Sequence, residues 1–210
     1  GRSWEFLNKK DRDRARKQID DEKPFLIVGS PPCTYYSILT QSNYSRMDPL
    51  KVARRKAEAK VLFDFALQVY ETQLRAGRHF LHEHPQSASS WQDARMRKML
   101  AHPRVGTVVA HLCQFGMKTW GDDGLWHPAK KATRFASSSE EVLRQLDRKC
   151  SGEHAHCRLT NGRAKHAAVY PPALCRAILQ GIERQRVREG AKVASYAEKQ
   201  VERGCGISNL

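Results

Sequence analysis

The first 23 positions are almost entirely polar, and then Pro24-Phe-Leu-Ile-Val-Gly29 breaks the pattern. An apolar run without alternation predicts a strand covered on both faces, as in a parallel sheet. The preceding KKDRDRARKQIDDEK reads as a solvated helix, with Trp4 and Phe6 as anchors onto something that covers them. From Pro49 to Arg75 the chain reads as one long helix. Val61, Leu62, Phe65, Leu67, Val69 and Leu74 form its apolar stripe, and Gly77 its stop. The first half of that helix, KVARRKAEAK, is basic and solvated. A second strand, His79–Glu83, ends at His84-Pro85, and a helix over Trp91–Leu100 leads to a third strand, Thr107–Cys113. Strands alternating with helices at these spacings predict an α/β fold with a parallel sheet. Residues 116–137 read as a loop or hairpin. Ser138-Ser-Glu-Glu141 then forms a capping box for a helix over Val142–Arg148. Tyr170-Pro-Pro opens a last helix with proline in its first turn, and a tail from Lys192 frays at Gly204-Cys-Gly206.

Charge changes this picture most. Lys and Arg number 37 against 22 Asp and Glu, a net charge of +15 over 210 residues. Such an excess favours a polyanion, because each neutralised phosphate releases condensed counterions, though it does not separate DNA from RNA. The length suits one domain with a real core. No apolar run approaches the ~20 residues that span a bilayer, and the expectation is an intracellular monomer with no membrane association, nuclear if eukaryotic. Six cysteines in a chain of this size point to free thiols, a catalytic thiol or metal ligands rather than a disulfide framework.

Reactive groups in open α/β sheets lie beyond the carboxyl ends of the strands. Three such ends carry polar chemistry: Cys33 after the first strand, Glu83 closing the second, and the Cys113-Gln114-Phe-Gly116 turn after the third. The two prolines before Cys33 fix two φ angles, so aiming the thiol costs little entropy. A free thiol is only a few per cent ionised at neutral pH, so a nucleophilic Cys33 needs help from amides or a cation. A buried structural thiol in a rigid turn is the alternative, and the residues alone leave both open. Cys150, His154, His156 and Cys157 place four candidate zinc ligands within one short segment. They are cramped, and Cys113 or His166 would complete a partial set. A polar loop with incidental His and Cys, or a loop that contacts DNA, would account for the same residues.

GSPPCTYYS, residues 29–37, resembles the Pro-Cys motif of the cytosine-5 DNA methyltransferases, with Pro32, Cys33, Tyr36 and Ser37 on its positions. His82-Glu-His-Pro85 stands where that family has Glu-Asn-Val or Glu-Asn-Pro, with His84 replacing the asparagine. Lys130-Lys-Ala-Thr-Arg134 is similar to its Gln-x-Arg-x-Arg motif, with Ala132 where the first arginine would be. Val169–Ile178 resembles its closing motif. Order and spacing agree over roughly residues 24–182, closest to the divergent branch of phages and retroelement-linked reading frames.

The resemblance implies a Rossmann-like methyltransferase sheet with a small C-terminal recognition insert. Residues 1–115 would be the catalytic-motif part of one catalytic domain, 116–168 the target-recognition segment and 169–210 the closing helix and tail. It implies that Cys33 adds to C6 of a flipped cytosine, Glu83 binds N3 and the exocyclic amine, and Arg134 contacts the carbonyl or orders the thiol. It assigns Ser30, Pro31 and Pro32 to S-adenosylmethionine, and Ser37, Gln41, Lys130, Lys131 and Arg134 to DNA. The family's Phe-x-Gly-x-Gly cofactor loop has no counterpart before residue 24, so the expectation is a fragment missing its first βα units. Methylation of RNA cytosine, or a non-catalytic nucleic-acid-binding module on the same scaffold, are the other readings.

Overall fold

The computed structural model describes residues 4–37, 43–160 and 162–204; the side chains of Lys165, His166 and residues 191–204 lie outside that description, as does Gln41. The described chain is α/β. Its main sheet has four strands, β1 (Leu26–Gly29), β2 (His79–Pro85), β3 (Gly106–His111) and β6 (Ala132–Ser137), in the order β1-β2-β6-β3. Five α-helices, α1 (Lys9–Glu22), α2 (Pro49–Arg75), α3 (Ala94–Leu100), α4 (Glu140–Leu146) and α5 (Pro172–Gly204), cover the sheet or extend from it. Strands β4 (Lys118–Trp120) and β5 (Trp126–Pro128) form a separate antiparallel hairpin. Among the described residues no helix is long and apolar enough to cross a membrane.

The sheet is mixed, which corrects the parallel expectation. β1 pairs parallel with β2, but β6 runs antiparallel to both β2 and β3 and fills the slot between them. β1, β2 and β3 therefore point the same way, as alternation with helices predicted. What the chain adds is a return strand, β6, inside the region expected to be loop or hairpin, whose hairpin is β4–β5. β1 is also not covered on both faces: it is an edge strand whose Val28 is 46% exposed. The third strand stops at His111, and Leu112–Phe115 is a 3-10 turn that ends on Gly116 at φ 79°.

Two apolar layers sandwich the sheet. On one face Phe80 packs with Phe63, Leu67, Tyr70, Trp91 and Met96 from α2, α3 and the turn before α3. The buried line of α2 runs through Ala59, Phe63, Leu67 and Tyr70, one helical face, whereas Val61 of the expected stripe is exposed. Phe6 anchors the N-terminal segment onto Phe65, with ring centroids 5.2 Å apart, and Trp4 stacks on Phe6. On the other face Leu81 and Phe135 pack with Val142, Leu146, Leu174 and Ile178 from α4 and α5. Helix α4 is capped by Ser139, not Ser138: the Ser139 hydroxyl accepts from the Val142 amide at 3.3 Å. Gly181 of α5 lets the two helices touch, since a Cβ there would lie 2.5 Å from Val142 Cα.

Candidate functional site

The parallel β1–β2 pairing brings two strand ends to one edge, and the Gly29–His82 register sets Ser30 beside Glu83. Glu83 is buried. The Ser30 hydroxyl donates a very short hydrogen bond to Glu83 Oε2, and Tyr170 Oη lies 3.0 Å from Ser30 Oγ. Because Ser30 spends its proton on the carboxylate, the Tyr170 hydroxyl supplies the proton of that second bond. Burial and the Glu83 charge both push the Tyr170 phenol up, keeping it neutral and a donor. Oε1 of Glu83 has no hydrogen-bond partner, and Lys131 Nζ stands 3.6 Å from it. One carboxylate oxygen is thus satisfied and the other is buried, faced by a cation and open to a donor.

Cys33 sits in the turn that leaves β1. The Tyr36 amide donates to the Cys33 carbonyl at 3.0 Å, closing the turn around the thiol. His84 fixes its entry: Nε2 lies 2.8 Å from the Pro31 carbonyl and Nδ1 2.6 Å from Ser90 Oγ. A carbonyl only accepts, so Nε2 carries the proton and Nδ1 accepts from Ser90. Burial pulls the His84 imidazole down, keeping it neutral in this role. The exit of the turn is held as well. The Tyr36 carbonyl accepts from the Ser89 amide at 2.9 Å, and the Tyr36 ring packs against Phe63 and His84.

The Cys33 thiol is pushed up, first by burial, then by the Glu83 charge, with Lys131 pulling the other way. Thiol and carboxylate therefore share one electrostatic environment. That environment favours the thiol over the thiolate, and Lys131 is the cation that offsets part of the penalty.

Of the other predicted residues, Lys131 joins the site through Glu83 rather than through an exposed phosphate contact. Arg134 does not join it. It pairs across the ladder with His84, so it lies on the opposite face of the sheet from Glu83. Its guanidinium covers Trp91 at 4.7 Å from the ring centroid and donates to Thr107 Oγ1 at 3.3 Å. Ser30 is turned toward Glu83, and the Pro31 carbonyl is taken by His84. Together with Pro32 they form one wall of an apolar groove lined also by Phe6, Val28, Phe65 and Tyr70. Lys130 is exposed, Ser37 is partly buried beside the turn, and Gln41 is outside the described residues.

The Cys/His segment does not assemble as the sequence suggested. Cys150, His154 and His156 converge, but Cys157 points away, its Sγ 3.5 Å from the Trp120 carbonyl. Cys113, from the turn after β3, takes the fourth position. The sequence offered it, with His166, as a residue to complete a partial set. Tyr170 and Ser30 were visible as a helix opener and as part of a motif, but their convergence on Glu83 depends on where α5 lands. The described chain matches no family model, no curated protein and no solved structure.

Proposed function

We propose that the chain is the catalytic part of a DNA (cytosine-5) methyltransferase, in which Cys33 adds to C6 of a cytosine flipped out of the duplex. The observation that carries this reading is the placement of Glu83 just past the end of the parallel β1–β2 pairing, beside the turn from β1 that carries Cys33. One carboxylate oxygen is fixed by Ser30, and the other is buried without a hydrogen-bond partner beside Lys131.

Cytosine offers an amine donor at C4 and an acceptor at N3. Glu83 Oε1 suits the amine, and a proton shared with the carboxylate suits N3. In the addition step the Cys33 S–H bond breaks and the S–C6 bond forms. The thiol proton leaves by way of Glu83 and ends on N3, and the C5–C6 electron pair moves to give an enamine. No external acid or base is consumed. Ser30, itself held by Tyr170, holds Oε2 throughout, and Lys131 stabilises whichever of the two partners carries the negative charge. The enamine is nucleophilic at C5, the atom that family members methylate.

S-adenosylmethionine is the methyl source the resemblance implies, and the described residues match it only in part. The groove beside β1 offers apolar walls for a purine and one carboxylate, Glu5, for a ribose. Gly29 lacks a side chain because a methyl group there would overlap the Tyr70 phenol, not because a ligand approaches it. No glycine-rich amide cradle stands over this groove among the described residues. The steps above are therefore those of thiol and carboxylate alone.

The net charge of +15 and the exposed, mutually packed Trp120 and Trp126 on the β4–β5 hairpin support a nucleic-acid substrate. The raised Cys33 thiol favours a second reading, a nucleic-acid-binding module that keeps the scaffold without turnover. A denaturation-resistant adduct on DNA containing 5-fluorocytosine, formed with S-adenosylmethionine present, separates the two. Wild type is expected to form it and Cys33→Ala not to. Absence of the adduct from wild type, or its persistence in Cys33→Ala, leaves only binding. RNA of the same sequence, run in parallel, decides between the two nucleic acids.

A further inference from the structure

Four ligand atoms from two separated segments meet at one point beyond the end of β3. Sγ of Cys113 and Cys150 and a ring nitrogen each of His154 and His156 all lie within 4.8 Å of one another. Cys150 Sγ is 3.6 Å from His154 Nε2 and 3.4 Å from His156 Nε2. Ligands held at about 2.1–2.3 Å in a tetrahedron stand about 3.3–3.8 Å apart, so these two separations match an S–N edge. The two imidazoles pack edge to face, ring centroids 4.6 Å apart, an arrangement that lets both nitrogens converge.

We propose that Cys113, Cys150, His154 and His156 bind one zinc ion in a closed tetrahedral site with a structural role. Two thiolates and two neutral imidazoles neutralise the ion's double charge and leave no position for water or substrate, which distinguishes a structural from a catalytic zinc. Binding releases the two thiol protons. The surrounding hydrogen bonds already prepare the ligands. The Cys150 amide donates to His111 Nδ1 at 2.9 Å, and the His111 amide donates to the Arg148 carbonyl at 2.9 Å, so the ligand loop is stitched along the end of β3.

The position of the site gives the ion something to hold. Cys113 lies in the 3-10 turn whose Leu112 amide donates to the Lys131 carbonyl at 3.1 Å, and Lys131 is the cation facing Glu83. Immediately after the ligand segment, the Cys157 amide donates to the Pro128 carbonyl at 2.9 Å, on the hairpin. A zinc ion here clamps the base of the Trp120/Trp126 hairpin and the backbone of Lys131 to the same strand end. This inference does not depend on the proposed reaction.

Elemental analysis of chain purified from zinc-supplemented cells is expected to find about one zinc per molecule. Cys150→Ser and Cys113→Ser are expected to fall to background, while Cys157→Ser keeps its zinc. Cobalt replacing the zinc of the wild type is expected to give the intense visible bands of a tetrahedral ion with thiolate charge transfer, a readout that needs no variant. Zinc retained by the Cys113→Ser/Cys150→Ser double variant would overturn the site. So would an octahedral cobalt spectrum, a Cys113–Cys150 disulfide in the isolated protein, or a wild type that takes up no zinc on titration.

Discussion

At the scale of single residues the chemistry turns on how three charges meet. The Cys33 thiol is raised by burial and by Glu83 and lowered by Lys131. Replacing Glu83 by Gln removes the like charge, so more thiolate is present at neutral pH and iodoacetamide should label Cys33 severalfold faster. Lys131→Met removes the offsetting cation and should slow the same labelling. Both are checked by peptide-resolved mass spectrometry, which separates Cys33 from the other five cysteines. If both variants label at the wild-type rate, the shared field does not exist. The signs matter because a catalytic thiol–carboxylate pair predicts that Glu83→Gln makes the thiol more reactive toward a reagent and less reactive toward cytosine. Cys33 follows the end of β1 as the sequence predicts, whereas Glu83 lies within β2, which runs on to Pro85 because β6 pairs with it there. Arg134 was misread because the sequence does not show ladder register: one residue's shift along β6 decides which face of the sheet a side chain joins, and Arg134 falls opposite His84. Lys131, two residues before β6's Thr133, reaches Glu83 instead.

Among the elements, β2 is the one that joins structure to chemistry. Its Phe80, His82 and His84 face α2 while Leu81 and Glu83 face α4 and α5. His82 and His84 are held neutral by burial, their imidazoles pulled below the ordinary range. The unfolded chain therefore binds protons that the folded chain refuses. Stability should be fully present above the ordinary histidine range near pH ~6.5 and fall as pH drops below it, by up to about 1.4 kcal/mol per pH unit for each histidine. Urea unfolding at a series of pH values checks this, and His82→Phe should reduce the slope by about one histidine's share. A slope unchanged in His82→Phe would mean that other groups carry the acid sensitivity. A second test concerns the α4–α5 contact. Gly181→Ala drives a methyl group against the Val142 backbone, which cannot rotate away, and should cost about 1–3 kcal/mol. In a chain of this size that lowers the melting temperature by about 2–4 °C per kcal/mol. The end of helix α2 was readable because its Gly77 stop is a local signal, and the structure adds an Asp48 cap at its start. β6 was not readable. Ala132-Thr-Arg-Phe-Ala-Ser137 has small and polar residues inside a central strand, and their burial comes from β2 and β3 on either side. The parallel-sheet expectation failed for the same reason, since an antiparallel strand can enter a sheet without altering the spacing of its neighbours.

For the molecule as a whole, the +15 charge and the hairpin with its paired tryptophans support the proposal that this basic α/β protein presents a thiol and a carboxylate to a flipped base. If phosphates supply the grip, the dissociation constant for duplex DNA should rise with salt, roughly tenfold between 50 and 200 mM for each pair of phosphates neutralised. Fluorescence anisotropy with a labelled duplex reads this directly, and a flat salt dependence would remove nucleic acid as the partner. The central claim, however, is that Cys33 adds to C6, and that step can be observed without a methyl donor. An enamine formed by thiol addition takes a proton from water at C5, and elimination then releases the isotope that was there. DNA carrying tritium at C5 of its cytosines should therefore lose tritium to water in the presence of the wild-type protein. Cys33→Ala should release none, and Glu83→Gln should release at least about a hundredfold less, the lower end of what a positioned acid–base group contributes. Tritium retained with the wild type bound to its DNA, or released equally by Cys33→Ala, would contradict the account.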